Sequence, residues 1–240
     1  MSVVKWEVDE AVGVIVMDNG ENRMNQKYID GMLKAFDEIE ADPEIKAVVI
    51  TSSDQKNWSQ GIDLEWMMGR LAENDMQGIK DFLYGMNALF KRVLLFPAPV
   101  IAAINGHAAA GGAILSCACD FRFMRADRGY FFFPEIDINI PFLPGMIAFS
   151  KKAFPYYKFE EAMLTGRRFK ADELEKYNVI MKACPDRDSV LKEAVAYAKT
   201  FNKKRGIFGV TKERMNAAMV AVIDNEDPAY IESGKLTVEG

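Results

Sequence analysis

Two short apolar runs set the terms for this chain, residues 47–51 (Ala-Val-Val-Ile-Thr) and residues 100–104 (Val-Ile-Ala-Ala-Ile). Apolar runs without polar alternation suit strands buried on both faces. Each leads into a stretch of small residues, and a helical pattern follows at once. The first stretch, reached through a polar loop over 52–60, is Trp58-Ser59-Gln60-Gly61-Ile62-Asp63; the second is Asn105-Gly106-His107-Ala108-Ala109-Ala110-Gly111-Gly112. Small residues let the backbone approach a ligand closely and present bare N–H groups to it. At the start of a helix those groups also lie at the positive end of the dipole. Two such donors that converge make an oxyanion hole, which stabilises negative charge developing on a carbonyl oxygen. With one histidine in the chain and no convincing nucleophile motif, the chemistry to expect is that of an enolate.

The rest of the chain fits an α/β architecture. Residues 3–8 and 12–17 alternate enough for a β-hairpin. Ile29, Met32, Leu33, Phe36 and Ile39 share one face of a helix over 27–41. A second helix over about 76–94 stops at Phe96-Pro97-Ala98-Pro99, and a third spans 111–118. Residues 120–125 and 130–133 have the pattern of two further strands. Strand, glycine-rich loop, helix and strand again give a ββα cadence. From Pro144 onward the pattern is helical, roughly over 146–153, 157–164, 171–177, 187–203 and 210–224, so a core over 1–145 and a helical region over 146–240 are expected.

Composition narrows the function classes. Half of the 240 residues are hydrophobic, enough for a sizeable core, and the net charge is −5. Nucleic-acid binding would need a clustered excess of Lys and Arg, so no nucleic-acid partner is expected. The three cysteines include a C-x-C at Cys117 and Cys119 with Cys184 far away. With no second Cys/His cluster no metal site is expected, and the odd count fits a reducing, cytoplasmic setting. No apolar run reaches membrane-spanning length. The N-terminus, Met1-Ser2-Val3-Val4-Lys5-Trp6, has the pattern of a strand and not of a signal peptide. The end, Leu236-Thr237-Val238-Glu239-Gly240, carries no peroxisomal address. The Asn57-Trp58-Ser59 sequon is read as chance in a cytosolic protein.

Taken in order, several motifs resemble the crotonase superfamily, the enoyl-CoA hydratases and isomerases, over nearly the whole chain. They are Ser59-x-Gly61-x-Asp63, Pro99-Val100-Ile101-Ala102-Ala103-Ile104-Asn105-Gly106, Gly111-Gly112, Cys119-Asp120-Phe121-Arg122, Phe133-Pro134-Glu135-Ile136 and Leu164-Thr165-Gly166-Arg167. The resemblance implies a spiral of ββα units with C-terminal helices that pack subunits into trimers or dimers of trimers. It places the oxyanion-hole donors at the N–H groups of Ile62 and Gly111. The family's second stretch usually reads Gly-Gly-Gly, whereas here it begins with Ala110, a change that costs little if Ala110 sits at negative φ. Ile62 replaces a frequent small residue, but its N–H does not depend on the side chain. Arg23-Met24-Asn25 matches the family segment that meets the CoA nucleotide, which makes Arg23 a candidate phosphate contact.

Carboxylates separate the reactions within that superfamily. Its hydratases use two glutamates, one three residues after the hole glycine and one in a Pro-Glu step about twenty residues later. Water addition needs one group to activate the water and another to manage the proton at C2. In this chain the first position is Ile114, which can do neither, and the second is intact as Glu135. One carboxylate suits an allylic isomerisation, with proton removal from C2 of a 3-enoyl thioester and return at C4. Desolvation of Glu135 among its aromatic and aliphatic neighbours would make it a better base.

Other candidates have plainer readings. Asp137 would share the face of Glu135 if the strand continues, although a turn or solvent exposure suits it better. Asp63 lies where a helix N-cap is expected. Asp120 reads as structural, and His107 as a packing residue. Met67, Met68, Met76 and Met86 suit either an acyl pocket or the core. The leading expectation is a cytoplasmic enoyl-CoA isomerase with Glu135 as proton shuttle. Ile62 and Gly111 form the hole, and Arg23, Met24, Ser59, Gly61, Asp63, Ala110 and Ile114 lie against the acyl-CoA thioester. No separate cofactor is needed, because CoA enters with the substrate. Hydration or another crotonase reaction, and a non-catalytic acyl-CoA-binding homologue, are the alternatives.

Overall fold

The computed structural model describes residues 2–234; the C-terminal stretch 236–240 read above lies outside them. A six-stranded sheet is the centre of the fold. Its order is β1 (Val4–Asp9), β2 (Val12–Met17), β4 (Ala47–Ser52), β7 (Val100–Ile104), β9 (Phe121–Arg125) and β11 (Lys182–Cys184). The β1–β2 hairpin is antiparallel, and every other neighbour in the sheet runs parallel. The uninterrupted apolar runs are explained by cover on both faces. Side chains alternate along a strand, and here both sets are buried: Val48 and Ile50 face one cluster while Ala47 and Val49 face another.

Helices α1 (Gln26–Ala41) and α3 (Met76–Leu95) fill the larger cluster from one side, through Ile29, Met32 and Phe36 and through Phe82, Met86 and Phe90. The other face is covered by α8 (Arg187–Ala198), through Val190, Ala194 and Val195. The helical region therefore supplies a layer of the main core. It also contributes β11, which pairs with β9 and which the helical pattern after Pro144 did not reveal. Three residues are too few to show a period of two.

Two smaller sheets sit beyond the ends of β4 and β7. One orders β10 (Phe131–Phe132), β8 (His107–Ala109) and β5 (Asn57–Ser59); the other pairs β3 (Arg23–Met24) with β6 (Gly61–Ile62). Helices α2 (Leu64–Ala72) and α4 (Gly111–Ala118) start directly after β6 and β8. The C-terminal part adds α5 (Pro144–Ser150), α6 (Tyr156–Thr165), α7 (Ala171–Lys176), α9 (Arg205–Asn225) and α10 (Asp227–Ser233). Against the sequence reading, α8 ends five residues early and α9 begins five residues early. Lys204 at the N-cap of α9 makes no side-chain cap bond, so no capping residue marked that start. Among the described residues no helix is long and apolar enough to cross a membrane.

Candidate active site

The two glycine stretches meet. β5 and β8 are neighbours in one small sheet, with Ser59 opposite Ala108, so the segments that follow them run side by side. Gly61 has φ +79°, and a Cβ there would come within 2.6 Å of the Gly111 nitrogen. A Cβ on Gly111 would lie 3.3 Å from the Gly61 Cα and 3.6 Å from the Ile62 nitrogen. Glycine at both positions is what permits this approach. Gly111 is the first residue of α4, so its N–H has no partner inside the helix. Its dipole end and the Ile62 segment border one cavity of about 380 Å³, lined by Ile62, Ala110 and Gly111 among others.

Ala110 corrects one expectation. It sits at φ +49°, ψ −128°, not at negative φ. A Cβ disfavours this region, so the residue stores strain where the strand turns into the helix. Its backbone is held on both sides: its N–H donates to the Phe132 carbonyl at 3.1 Å, and its carbonyl accepts from Ile114 N–H at 3.0 Å.

Glu135 reaches the same cavity from the neighbouring strand. β10 runs parallel to β8 with Phe132 opposite Ala109. The chain then enters a 3₁₀ turn, Pro134–Ile136, with proline at its first position. Phe131 and Phe133 are fully buried on either side of the strand end and anchor it. Glu135 is buried, and its Oε2 has no hydrogen-bond partner among the described residues. Burial pushes its carboxyl up to about 7, tempered only by its own backbone N–H. Among the described residues that line the cavity it is the one carboxylate. Ile114, one turn into α4, lines the cavity as well. The rest of the wall is largely apolar and includes Met67, Met68 and Met86; Met76 packs against the core instead.

Several residues placed against the ligand by sequence have other tasks. Ser59 is buried beneath the loop, where its hydroxyl donates to the Asn22 carbonyl at 2.7 Å and accepts from Gly61 N–H at 3.2 Å. Asp63 caps α2, accepting from Trp66 N–H at 3.1 Å and from the Asn25 side-chain amide at 3.1 Å. Met24 is fully buried behind Gly111. None of these three lines the cavity, and Gly61 contributes closeness, not a lining surface. Arg23 does stand at the cavity, half-exposed and paired with Glu21 at 2.8 Å. Asp137 is exposed, because the 3₁₀ turn replaces the strand that would have set it beside Glu135. His107 Nδ1 accepts from Tyr130 N–H at 3.2 Å, so it serves the sheet end. Asp120 accepts from Val100 N–H at 2.8 Å and pairs with Lys212 at 2.6 Å, a structural role as read. Among the described residues no group of His, Cys, Asp and Glu could hold a metal. Sequence reasoning missed Tyr230 and Ile231, which reach the cavity from the C-terminal end of the described chain; no local signal ties residues that distant to the glycine loops.

The family model for enoyl-CoA hydratase/isomerase matches residues 7–232, and the chain belongs to that family. It is 28% identical over 203 residues to enoyl-CoA delta isomerase 1, peroxisomal, of Arabidopsis thaliana, with 82% of each chain covered. It is 30% identical over 217 residues to the probable enoyl-CoA hydratase echA8 of Mycobacterium bovis, covering 88% of this chain and 80% of that one. The crystal structure of enoyl-CoA hydratase EchA3 from Mycobacterium ulcerans superposes with a TM-score of 0.85 at 25% identity, over 97% of this chain and 99% of that one. The crotonase-like α/β fold with its helical C-terminal region is thereby established.

Two stability measurements follow from this geometry. Ala110→Gly removes the strain at positive φ and should raise stability by about 1 kcal/mol after the added freedom of the unfolded chain is counted; unchanged or lower stability in urea denaturation would contradict it. The folded pKa of Glu135 lies above its ordinary 4.5, so the native state holds a proton that the unfolded chain has released. Stability should therefore fall as pH rises from about 4.5 to about 7, by on the order of 3 kcal/mol. Glu135→Gln should remove that dependence, and denaturation curves at pH values on either side of the window compare the two proteins.

Proposed function

We propose that this protein is an enoyl-CoA isomerase that shifts a 3-enoyl-CoA double bond to the 2-position. The observation that carries the reading is Glu135: one unpartnered, desolvated carboxylate in a cavity whose other candidate carboxylate position is Ile114. The thioester oxygen is received by the N–H groups of Ile62 and Gly111. The Glu135 carboxylate takes a proton from C2, and the electron pair delocalises over C2–C4 and the thioester oxygen as a dienolate. The hole holds that charge. The same carboxyl then returns the proton at C4, which leaves the double bond between C2 and C3. Proton and electrons balance within the substrate, so neither metal nor redox cofactor is invoked, and CoA enters as part of the substrate. Arg23 is assigned to the CoA phosphates. Relatives named as hydratases are as similar as those named as isomerases, so the choice rests on Ile114 and Glu135.

The test is steady-state turnover of a 3-enoyl-CoA, followed by the absorbance of the conjugated product, beside hydration of a 2-enoyl-CoA. Isomerisation should dominate, and Glu135→Gln should lower it by at least about 10²-fold. kcat/KM should rise with pH through about 7 and level off above, because the base acts when deprotonated. Vigorous hydration by the unmodified protein, or undiminished isomerisation by Glu135→Gln, would overturn the reading.

Self-association belongs to the same proposal. Exposed Ile207, Val210 and Met215 on α9 and Tyr156, Tyr157 and Leu164 on or beside α6 leave apolar surface uncovered in one chain, which supports a homotrimer or a dimer of trimers. Light scattering at micromolar concentration should give at least three times the chain mass; a monomer would refute it. A cytoplasmic setting remains part of the proposal, resting on the unpaired, buried thiols.

A further inference from the structure

Besides the Glu135 segment the cavity is walled by helices, including Leu83 and Met86 of α3, Leu143 just before α5, Met146 within it, and Tyr230 and Ile231 of α10. α10 has seven residues, too few to hold a place by its own hydrogen bonds. It is tied at both ends, and the buried tie is at its first residue. Asp227 is fully buried, with one carboxylate oxygen accepting from Gly145 N–H of α5 at 2.7 Å and the other from the Asn87 side-chain amide of α3 at 2.9 Å. At the far end of α10, Glu232 accepts from Lys80 Nζ at 2.7 Å and from the Tyr84 hydroxyl at 2.9 Å, both on the surface of α3. The elements that Asp227 ties together are the ones that present those apolar side chains to the cavity. Asp227 itself does not line the cavity and takes no part in the proton transfer. Burying a carboxylate is costly, and it is best explained where it fixes one arrangement of its neighbours.

We propose that Asp227 is a positioning residue for substrate selection: it pins α10 as a wall of the cavity, so that the protein favours acyl chains long enough to reach Tyr230 and Ile231 over four-carbon chains. The inference rests on the acyl-thioester reading above and assigns the class of acyl group within it. The reacting end of the substrate occupies the hole and Glu135, and further methylenes run along apolar surface. Each methylene so buried is worth about fourfold in affinity. Asn87 supplies a control, because its Oδ1 has no partner. In Asp227→Asn the Asn87 amide can turn that oxygen toward the new amide and restore the tie.

The experiment compares the unmodified protein with Asp227→Ala, Asp227→Asn and Tyr230→Ala. Each is titrated with dodecanoyl-CoA and butanoyl-CoA by calorimetry and assayed with 3-dodecenoyl-CoA and 3-hexenoyl-CoA. The unmodified protein should bind dodecanoyl-CoA more tightly than butanoyl-CoA. Asp227→Ala should shrink that preference by about tenfold or more, the loss of some two methylene contacts, and in turnover it should act through KM of the longer substrate. Asp227→Asn should keep the preference. Tyr230→Ala, at an exposed position with the tie intact, should lose part of it and decides the matter if Asp227→Ala does not fold. No chain-length preference in the unmodified protein, or an unchanged preference in Asp227→Ala and Tyr230→Ala, overturns the inference. Length-selective binding without turnover of either 3-enoyl substrate would sink the isomerase reading and leave the role of Asp227 standing. A protein that binds neither saturated thioester overturns both.

Discussion

The site depends on how one short helix is tied down at its wrong end. α4 has eight residues, all buried, and its first residue, Gly111, lines the cavity. A buried helix must also satisfy its last carbonyls. Here the buried Arg122 and the partly buried Lys152 do so. Arg122 donates to the Ser116 carbonyl at 3.1 Å and the Cys119 carbonyl at 3.0 Å, and Lys152 donates to Ala118 at 2.9 Å and Cys119 at 3.0 Å. Positive charge at that end complements the helix dipole. Burial draws the Lys152 ammonium down to about 8. Asp120, between Val100 N–H and Lys212, fixes the turn that follows. With the C-terminal end held this firmly, the strained Ala110 at the other end persists, and the N–H of Gly111 keeps its direction.

The Glu135 side of the cavity is built on a different principle, apolar burial in place of hydrogen bonding. Phe131 and Phe169 exchange N–H and carbonyl bonds at 2.9 Å, which stitches the Glu135 segment to the C-terminal half of the chain. Phe133 meets the Phe131 ring edge-on at 5.5 Å, and a 3₁₀ turn then swings Glu135 inward. The carboxylate therefore arrives in an apolar setting with one oxygen unpaired, a costly state for stability and a favourable one for a base. The C-terminal half holds this segment, covers one sheet face through α8 and walls the cavity through α10, so its helices are part of the site.

The parts of the fold legible in the sequence are those with a local physical signature. The doubly buried strands at 47–52 and 100–104, the amphipathic helices α1 and α3, and the glycines at 61 and 111 each announce themselves through periodicity or through backbone demand. The positive φ of Ala110 does not, because nothing local distinguishes an alanine held there by Phe132 from one in a relaxed turn. Ser59 and Asp63 illustrate a second limit. Both lie in the loop around Gly61 and Ile62, yet their side chains are consumed in holding it, by bonds to Asn22, Gly61, Asn25 and Trp66. Sequence places a residue in a loop but does not say which way its side chain points. Asp227 shows a third limit, since its partners Gly145 and Asn87 lie 82 and 140 residues away and only the folded chain unites them.

Ile114 does more than remove a second acid. It occupies the turn of α4 that faces the cavity, its N–H is spent on the Ala110 carbonyl, and its side chain is almost wholly buried. A carboxylate there would face the same small space as Glu135. Two such groups titrate as a coupled pair, each resisting ionisation of the other. With isoleucine in that place, desolvation is what raises the Glu135 carboxyl. The same side chain fills with hydrocarbon the position from which a water would be oriented. On the proposed isomerase reading, a proton lifted from C2 onto Glu135 meets no second carboxylate among the described residues of the cavity wall. The carbons of the dienolate are its nearest destination, and charge delocalised over C2–C4 makes C4 one of them.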